Sequence, residues 1–129
     1  MSISEDLWLC LYFPLLPVEV FCRRDSSPVV VLNRQQISFM NQPAHDIGIM
    51  QGGSMDEAYI VSDNVVSFKR DENKELKRLE HLAQWAYQFT PNVSLAPPQS
   101  LLLEVSGCLK LFRGLSKLKQ VIEDELKTQ

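Results

Sequence analysis

Little in this sequence invites a metal or redox reading. Cysteine occurs only three times in 129 residues, as Cys10, Cys22 and Cys108, with no CxxC pair and no histidine beside any of them. Neither a zinc site nor a disulfide framework is written in that spacing, and a reducing compartment is implied. The two histidines, His45 and His81, have no acidic partner at helical spacing that would make a metal pair. A long hydrophobic run is missing too. The most apolar stretch, residues 7–18, is preceded by Glu5 and Asp6, interrupted by Pro14 and Pro17, and followed by Arg23 and Arg24. A spanning helix needs about 20 apolar residues and a signal peptide opens on basic ones, so a soluble cytoplasmic protein without membrane association is expected. Excess positive charge is the last absence: 13 Lys and Arg stand against 16 Asp and Glu, net −3. Residues 1–64 carry three basic and eight acidic residues, and residues 65–129 carry ten and eight. The basic footprint of a protein that grips nucleic acid unaided is therefore not there.

What is there is an ordinary globular balance, 45% hydrophobic and 22% charged, in one domain's worth of chain. Residues 7–13 form a continuous apolar run of strand length, the pattern of a strand covered on both faces. Pro17 opens a short helix that Arg23 and Arg24 close, and Asp25 to Pro28 is turn chemistry. Residues 28–32 and 36–40 read as a hairpin turning at Asn33 and Arg34. Asn41 caps a short helix ended by Gly48, and Ser54 caps another whose first turn holds Asp56 and Glu57, where the macrodipole favours negative charge. Adjacent carboxylates on a helix do not face one another, so Asp56 and Glu57 are not an acid–base pair. Residues 65–69 are a short strand. Asp71 opens the longest helix, to about Phe89, with Leu76, Leu79, Leu82, Ala83, Ala86 and Phe89 as its apolar stripe. Residues 93–98 are extended, 101–105 form a strand, and a final helix carries Leu115, Leu118, Val121, Ile122 and Leu126. The order predicts an α+β fold, a sheet with helices on one face. Residues 1–13 and 70–129 frame an inserted subdomain at 14–69.

Several of these segments, LWLCLYFPLLPVEVF, VVVLNRQQISFMNQPAHDIGI, GSMDEAYIV and YQFTPNVSLAPPQSLLLEVSG, together resemble the N-terminal part of Y-family translesion DNA polymerases, and most of all their ImuB type. The resemblance runs from about Leu7 to Leu126. It implies a partial polymerase palm of strand–helix–strand type carrying a small fingers-like insertion, with the rest of the palm, the thumb, the little finger and a clamp-binding tail beyond Gln129, so that the chain reads as a fragment or a truncated product.

In active members the first strand ends in Asp-x-Asp, with a Glu seven residues after the second Asp. Matching that Glu to Glu19 puts the metal-binding aspartates at Cys10 and Tyr12. The second motif is matched by Phe89, Thr90, Pro91 and Val93 and by Leu103, Glu104 and Val105, which puts its Asp-Glu pair at Gln99 and Ser100. The triphosphate-binding Tyr and Arg fall on Gln42 and His45. Two-metal phosphoryl transfer needs carboxylates holding ions about 3.5 to 4 Å apart, and none of these positions keeps one. The resemblance therefore implies a non-catalytic scaffold in DNA damage tolerance, with no cofactor. Its implied partners are an error-prone replicative-type polymerase, a sliding clamp and a RecA-like protein. The alternative is a DNA-directed polymerase with an unusual metal site, which would use magnesium. Arg34, Lys110 and Arg113 are the candidate weak DNA contacts, with Lys117 and Lys119 continuing the basic patch. A chain ending at Gln129 leaves an apolar sheet edge open, and a homodimer through that edge is expected.

Overall fold

The computed structural model of the protein describes residues 6–21 and 27–129. Two compact units divide the chain, Met1–Tyr12 with Lys77–Gln129, and Phe13–Leu76. The helix-closing arginines Arg23 and Arg24, together with Cys22 and Asp25, lie outside the described residues.

The first unit is built on a sheet of β1 (Trp8–Tyr12), β5 (Val93–Ala96) and β6 (Ser100–Glu104), in the order β1-β6-β5 with both pairings antiparallel. Leu101 and Leu103 on β6 are fully buried and lie opposite Leu11 and Leu9 of β1. The rest of the core comes from α4 (Glu72–Ala86), through Leu79, Leu82, Ala83 and Ala86, and from α5 (Leu115–Leu126), through Leu118 and Ile122 at the i, i+4 spacing of one helix face. Phe89 stands edge-on to Trp85, ring centroids 5.2 Å apart. Thr90, buried, donates to the Glu104 carbonyl at 2.6 Å and accepts from the Asn92 amide at 3.2 Å. That link ties the turn after α4 to the end of β6.

One expectation fails here. The apolar run predicts a strand covered on both faces, yet Trp8, Cys10 and Tyr12 are exposed while Leu9 and Leu11 are half-buried. Successive side chains alternate between sheet faces, and in this unit only the face carrying Leu9, Leu11, Leu101 and Leu103 is filled. A continuous apolar run makes both faces apolar without covering both.

The second unit holds α1 (Leu16–Glu19), β2 (Val29–Asn33), β3 (Gln36–Met40), α2 (Gln42–Asp46), α3 (Met55–Val61) and β4 (Val66–Lys69). Its sheet order is β3-β2-β4, with β2 antiparallel to β3 and parallel to β4. The hairpin forms as expected, but its two loop residues are Arg34 and Gln35, at φ 53° and 67°. Two positive φ values are the signature of a type I′ turn, whose twist matches the strands it joins. Both faces of this sheet are covered. Val30 and Ile37 pack with Ala44, Ile49, Ala58 and Val65 on one side, and Val29 and Val31 pack with Val18 on the other, edged by Phe21, Phe39 and Phe68.

Helix starts follow the expected chemistry. The Asn41 side chain accepts from the Ala44 and Val29 amides and donates to the Ser27 carbonyl, fixing α2 to β2. Ser54 and Glu57 form a reciprocal capping box. Gly53 leaves room for it, since a Cβ there would lie 2.7 Å from Glu57 Oε2 and 3.2 Å from the Met50 carbonyl oxygen and would push the Glu57 carboxylate out of the box.

At the first turn of α4 the apolar stripe departs from expectation. Leu76 is exposed, and Glu75, 1% exposed, takes the buried place one turn before Leu79. Arg70 makes this tenable by donating through Nε and Nη2 to the two Glu75 carboxylate oxygens, each at 3.1 Å. That pairing, the first cause, and the charges of Glu75 and Glu72 raise the Arg70 pKa against the opposing effect of burial. The guanidinium also lies 5.0 Å from the Phe39 ring centre, and Lys74 lies 5.1 Å from that of Phe21, itself stacked on Phe68 at 4.6 Å. Among the described residues, no helix is long and apolar enough to cross a membrane.

Candidate functional site

The end of the first unit's sheet gathers the residues that the sequence singled out. Antiparallel register sets Tyr12 directly opposite Ser100 and Cys10 opposite Leu102. Cys10, Tyr12 and Ser100 therefore share the open face, because positions two apart and directly opposed positions point the same way. Gln99 immediately precedes β6 and is half-buried. Tyr12 is 63% exposed and Cys10 is an exposed free thiol. No carboxylate belongs to this group. Cross-strand neighbours of this kind stand about 4.5 to 5.5 Å apart.

Glu104 lies at the other end of the same face, opposite Trp8. Four residues separate it from Ser100, about 13 Å along the strand. Its carboxylate accepts from the backbone N–H of Ser106 at 2.9 Å and from the Ser106 hydroxyl. The hydroxyl contact, then the amide, hold the Glu104 pKa below the usual glutamate value. Glu104 is thereby a fixed anion engaged with its own chain. Behind it the buried Cys108 thiol donates to the Val105 carbonyl at 3.2 Å, and burial, reinforced by the charge of Glu104, pushes its pKa up.

The remaining predicted site residues are dispersed. Gln42 and His45 lie on α2 in the second unit, both exposed; the Gln42 amide donates to Asp46 Oδ1 at 2.7 Å, and His45 Nδ1 lies 3.9 Å from the same oxygen. Both positions thus face the Asp46 carboxylate on an exposed stretch of α2. Arg34 is in the hairpin turn of the second unit. Lys110 and Arg113 are exposed in one turn of the first unit, joined by the Arg113 amide to the Lys110 carbonyl at 3.3 Å. Glu19, exposed on α1, belongs to the second unit. Among the described residues, no three His, Cys, Asp or Glu side chains converge in a way that could hold a metal ion.

Sequence reasoning missed two features. The Arg70–Glu75 pair had a readable signal, a glutamate falling one turn ahead of Leu79 and Leu82 on the buried stripe. The Thr90–Glu104 hydrogen bond had none, because it joins segments 14 residues apart that the pairing of β5 with β6 brings together.

Comparison with known proteins puts this geometry in context. A family model described as the impB/mucB/samB family matches residues 17–129. The fold is similar to that of a Y-family DNA polymerase chimera, Dbh-Dpo4(243-245)-Dbh, with TM-score 0.73 and 13% identity over 95% of this chain and 39% of that one. It is likewise similar to a post-insertion binary complex of Dbh DNA polymerase, TM-score 0.70 and 13% identity, over 94% of this chain and 37% of the other. An insertion ternary complex of Dbh DNA polymerase gives TM-score 0.69 at 14% identity, covering 93% of this chain and 39% of that one. At such identities the likeness is one of fold, and the chain spans 37% to 39% of the length of these polymerases. No curated protein matches it in sequence.

Polymerases of this fold imply a pair of magnesium ions, and the donor set tests whether the residues suit them. Magnesium asks for hard anionic oxygen, normally one or two carboxylates, in octahedral geometry. A thiol, a phenol, a serine hydroxyl and an amide at Cys10, Tyr12, Ser100 and Gln99 supply no negative oxygen at neutral pH. These residues do not fit a magnesium pair.

Proposed function

The chain belongs to the impB/mucB/samB family, and from that premise we propose that it is the palm-like and fingers-like portion of a non-catalytic, ImuB-type scaffold in DNA damage tolerance. The first unit is the palm-like part and the second the fingers-like part. The observation that carries this reading is that Cys10, Tyr12 and Ser100, grouped on one face where β1 pairs with β6, include no carboxylate, the nearest on that face being Glu104 at its far end. Metal-assisted charge stabilisation is the main term in phosphoryl transfer, and positioning alone does not replace it. The Asp46 carboxylate beside Gln42 and His45 supports the same reading, since a negative charge there opposes the approach of a triphosphate.

In this role the protein acts through contacts. The protein would engage an error-prone replicative-type polymerase, a sliding clamp and a RecA-like protein, with DNA touched weakly through Arg34, Lys110 and Arg113. Among the described residues β1 is an edge strand of its sheet, and self-pairing there accounts for the homodimer expected of this chain.

Manganese titration followed by paramagnetic NMR broadening, with primer-template and nucleotide present, tests the proposal. No saturable broadening at residues 10, 12, 99 and 100 and no primer extension are expected. Saturable broadening centred there overturns the reading and makes the chain part of a metal-dependent polymerase. A variant carrying Cys10→Asp, Tyr12→Asp, Gln99→Asp and Ser100→Glu should gain manganese broadening at those positions. Failure to gain it would mean that the motif alignment is wrong.

A further inference from the structure

The second unit carries a surface that the scaffold reading does not use. From residue 35 to residue 68 the sequence contains no Lys or Arg, while Asp46, Asp56, Glu57 and Asp63 give that segment a net charge of −4 with His45 neutral. A phosphate-tracking surface is excluded there, because nucleic-acid affinity comes mainly from neutralising phosphates with Lys and Arg. The same segment exposes large apolar side chains. Ile60 is 85% exposed and Met50 73%, with Ile47, Tyr59 and Val61 also open to solvent. Single exposed apolar residues are ordinary, but Met50 and Val61 border one concavity, and an apolar recess open to solvent marks an interaction site.

That recess is a concave receptor. Ile37, Ile49, Met50, Gly53, Ala58 and Val61 line a half-open cavity of about 110 Å³ between the loop after α2 and the inner face of α3. A closed apolar cavity of about 150 Å³ takes a benzene molecule, so this one has room for a single branched aliphatic side chain. Its floor is rigid: Ile37 and Ala58 are buried, the Ile37 amide donates to the Gly53 carbonyl at 2.9 Å, and the Gly52 amide donates to the Ile37 carbonyl at 2.7 Å. Glu57 lines the rim, held in place by the Ser54 capping box.

We infer that this pocket and its surround form a docking site for a short, lysine- or arginine-rich segment of a protein partner, which seats one aliphatic anchor in the pocket. Charge complementarity selects that occupant. Glu57 lines the pocket, and residues 35–68, the segment that forms it, carry three more carboxylates and no Lys or Arg, so the site repels an acidic segment and draws a basic one, raising both encounter rate and specificity. The anchor supplies the affinity, as one buried side chain commonly does at an interface. The inference stands whether or not the first unit's site is catalytic, so the two can fail separately.

The probe is a phage-displayed library of random twelve-residue peptides, selected on the whole chain at low salt and counter-selected on a Met50→Ser/Val61→Ser double variant. Both replaced side chains are exposed or at the rim, and the variant's amide spectrum and melting temperature are compared with wild type before use. Enriched peptides should be net positive and share a Leu, Ile or Met. One of them, made synthetically, should perturb amides of residues 47–61 at saturation. It should bind the double variant roughly tenfold more weakly, and Asp56→Asn/Asp63→Asn should weaken it several-fold with a reduced salt dependence. Enrichment of acidic peptides, no enrichment over a scrambled control, or equal binding to the double variant overturns the inference. Concentration-dependent self-association by light scattering that Ile60→Ser abolishes also overturns it, by assigning the face to a second copy of the chain.

Discussion

Two three-stranded sheets of similar size meet solvent in opposite ways. In the second unit the central strand β2 has Val29, Val30 and Val31 fully buried, with a hydrophobic cluster on each side. In the first unit β1 is just as apolar in sequence, yet Trp8, Cys10 and Tyr12 stand open. Cover therefore depends on how many apolar elements the unit has to spend on each face. The second unit uses α1, α2 and α3 on one short sheet, and the first unit, of nearly equal length, fills a single face.

The comparison can be broken most decisively by placing the same charge on each sheet. Val30→Asp buries an unpaired carboxylate and should cost about 4 to 5 kcal/mol or more, enough to unfold a marginally stable unit. Cys10→Asp on the open face should change stability by no more than about 0.5 kcal/mol. Urea denaturation of both variants measures the contrast, and equal losses would mean that the β1 face is covered in solution.

Next in size is the buried ion pair. Glu75→Ala leaves Arg70 without its bidentate partner and should destabilise by about 3 kcal/mol, while replacing both members with Met and Leu should restore much of the loss. A double-mutant cycle by thermal unfolding reads the coupling. Thr90→Val, which removes the donor to the Glu104 carbonyl, should cost about 1 to 2 kcal/mol in the same assay.

The smallest effects concern titration. Glu104 has a depressed folded-state pKa, so its stabilisation is present above the ordinary glutamate value and is lost as pH falls through the depressed one. Melting temperature should decline a little across that acid window, and Glu104→Gln should flatten the decline. Alkylation followed by peptide mapping should modify exposed Cys10 readily and Cys108 slowly, because burial holds the latter as the thiol.

Much of the fold was legible. The hairpin at residues 29–40, the caps at Asn41 and Ser54, and the long helix from Asp71 all follow from local rules, because turn chemistry, capping and helical period act within a few residues. The candidate site was legible only as positions in a motif. That Tyr12 meets Ser100 across 88 residues of chain is a matter of strand register, and register is set by which face is buried. Leu76 was placed on the buried stripe where Glu75 stands for the same reason: a carboxylate can occupy a core position only if a cation comes to meet it, and Arg70 reaches it by a turn of the chain that no periodicity records.

By itself the sequence determined the α+β class, the order and caps of the elements, and the acidic stretch without a basic residue between Arg34 and Lys69. These depend on residue identity and near-neighbour spacing. Only the tertiary structure decided that β1 leaves one face open, that Cys10, Tyr12 and Ser100 share it, and that Met50 and Val61 border one pocket. Those facts rest on pairing and packing between distant segments, where burial of apolar surface selects one arrangement among many that local preferences allow.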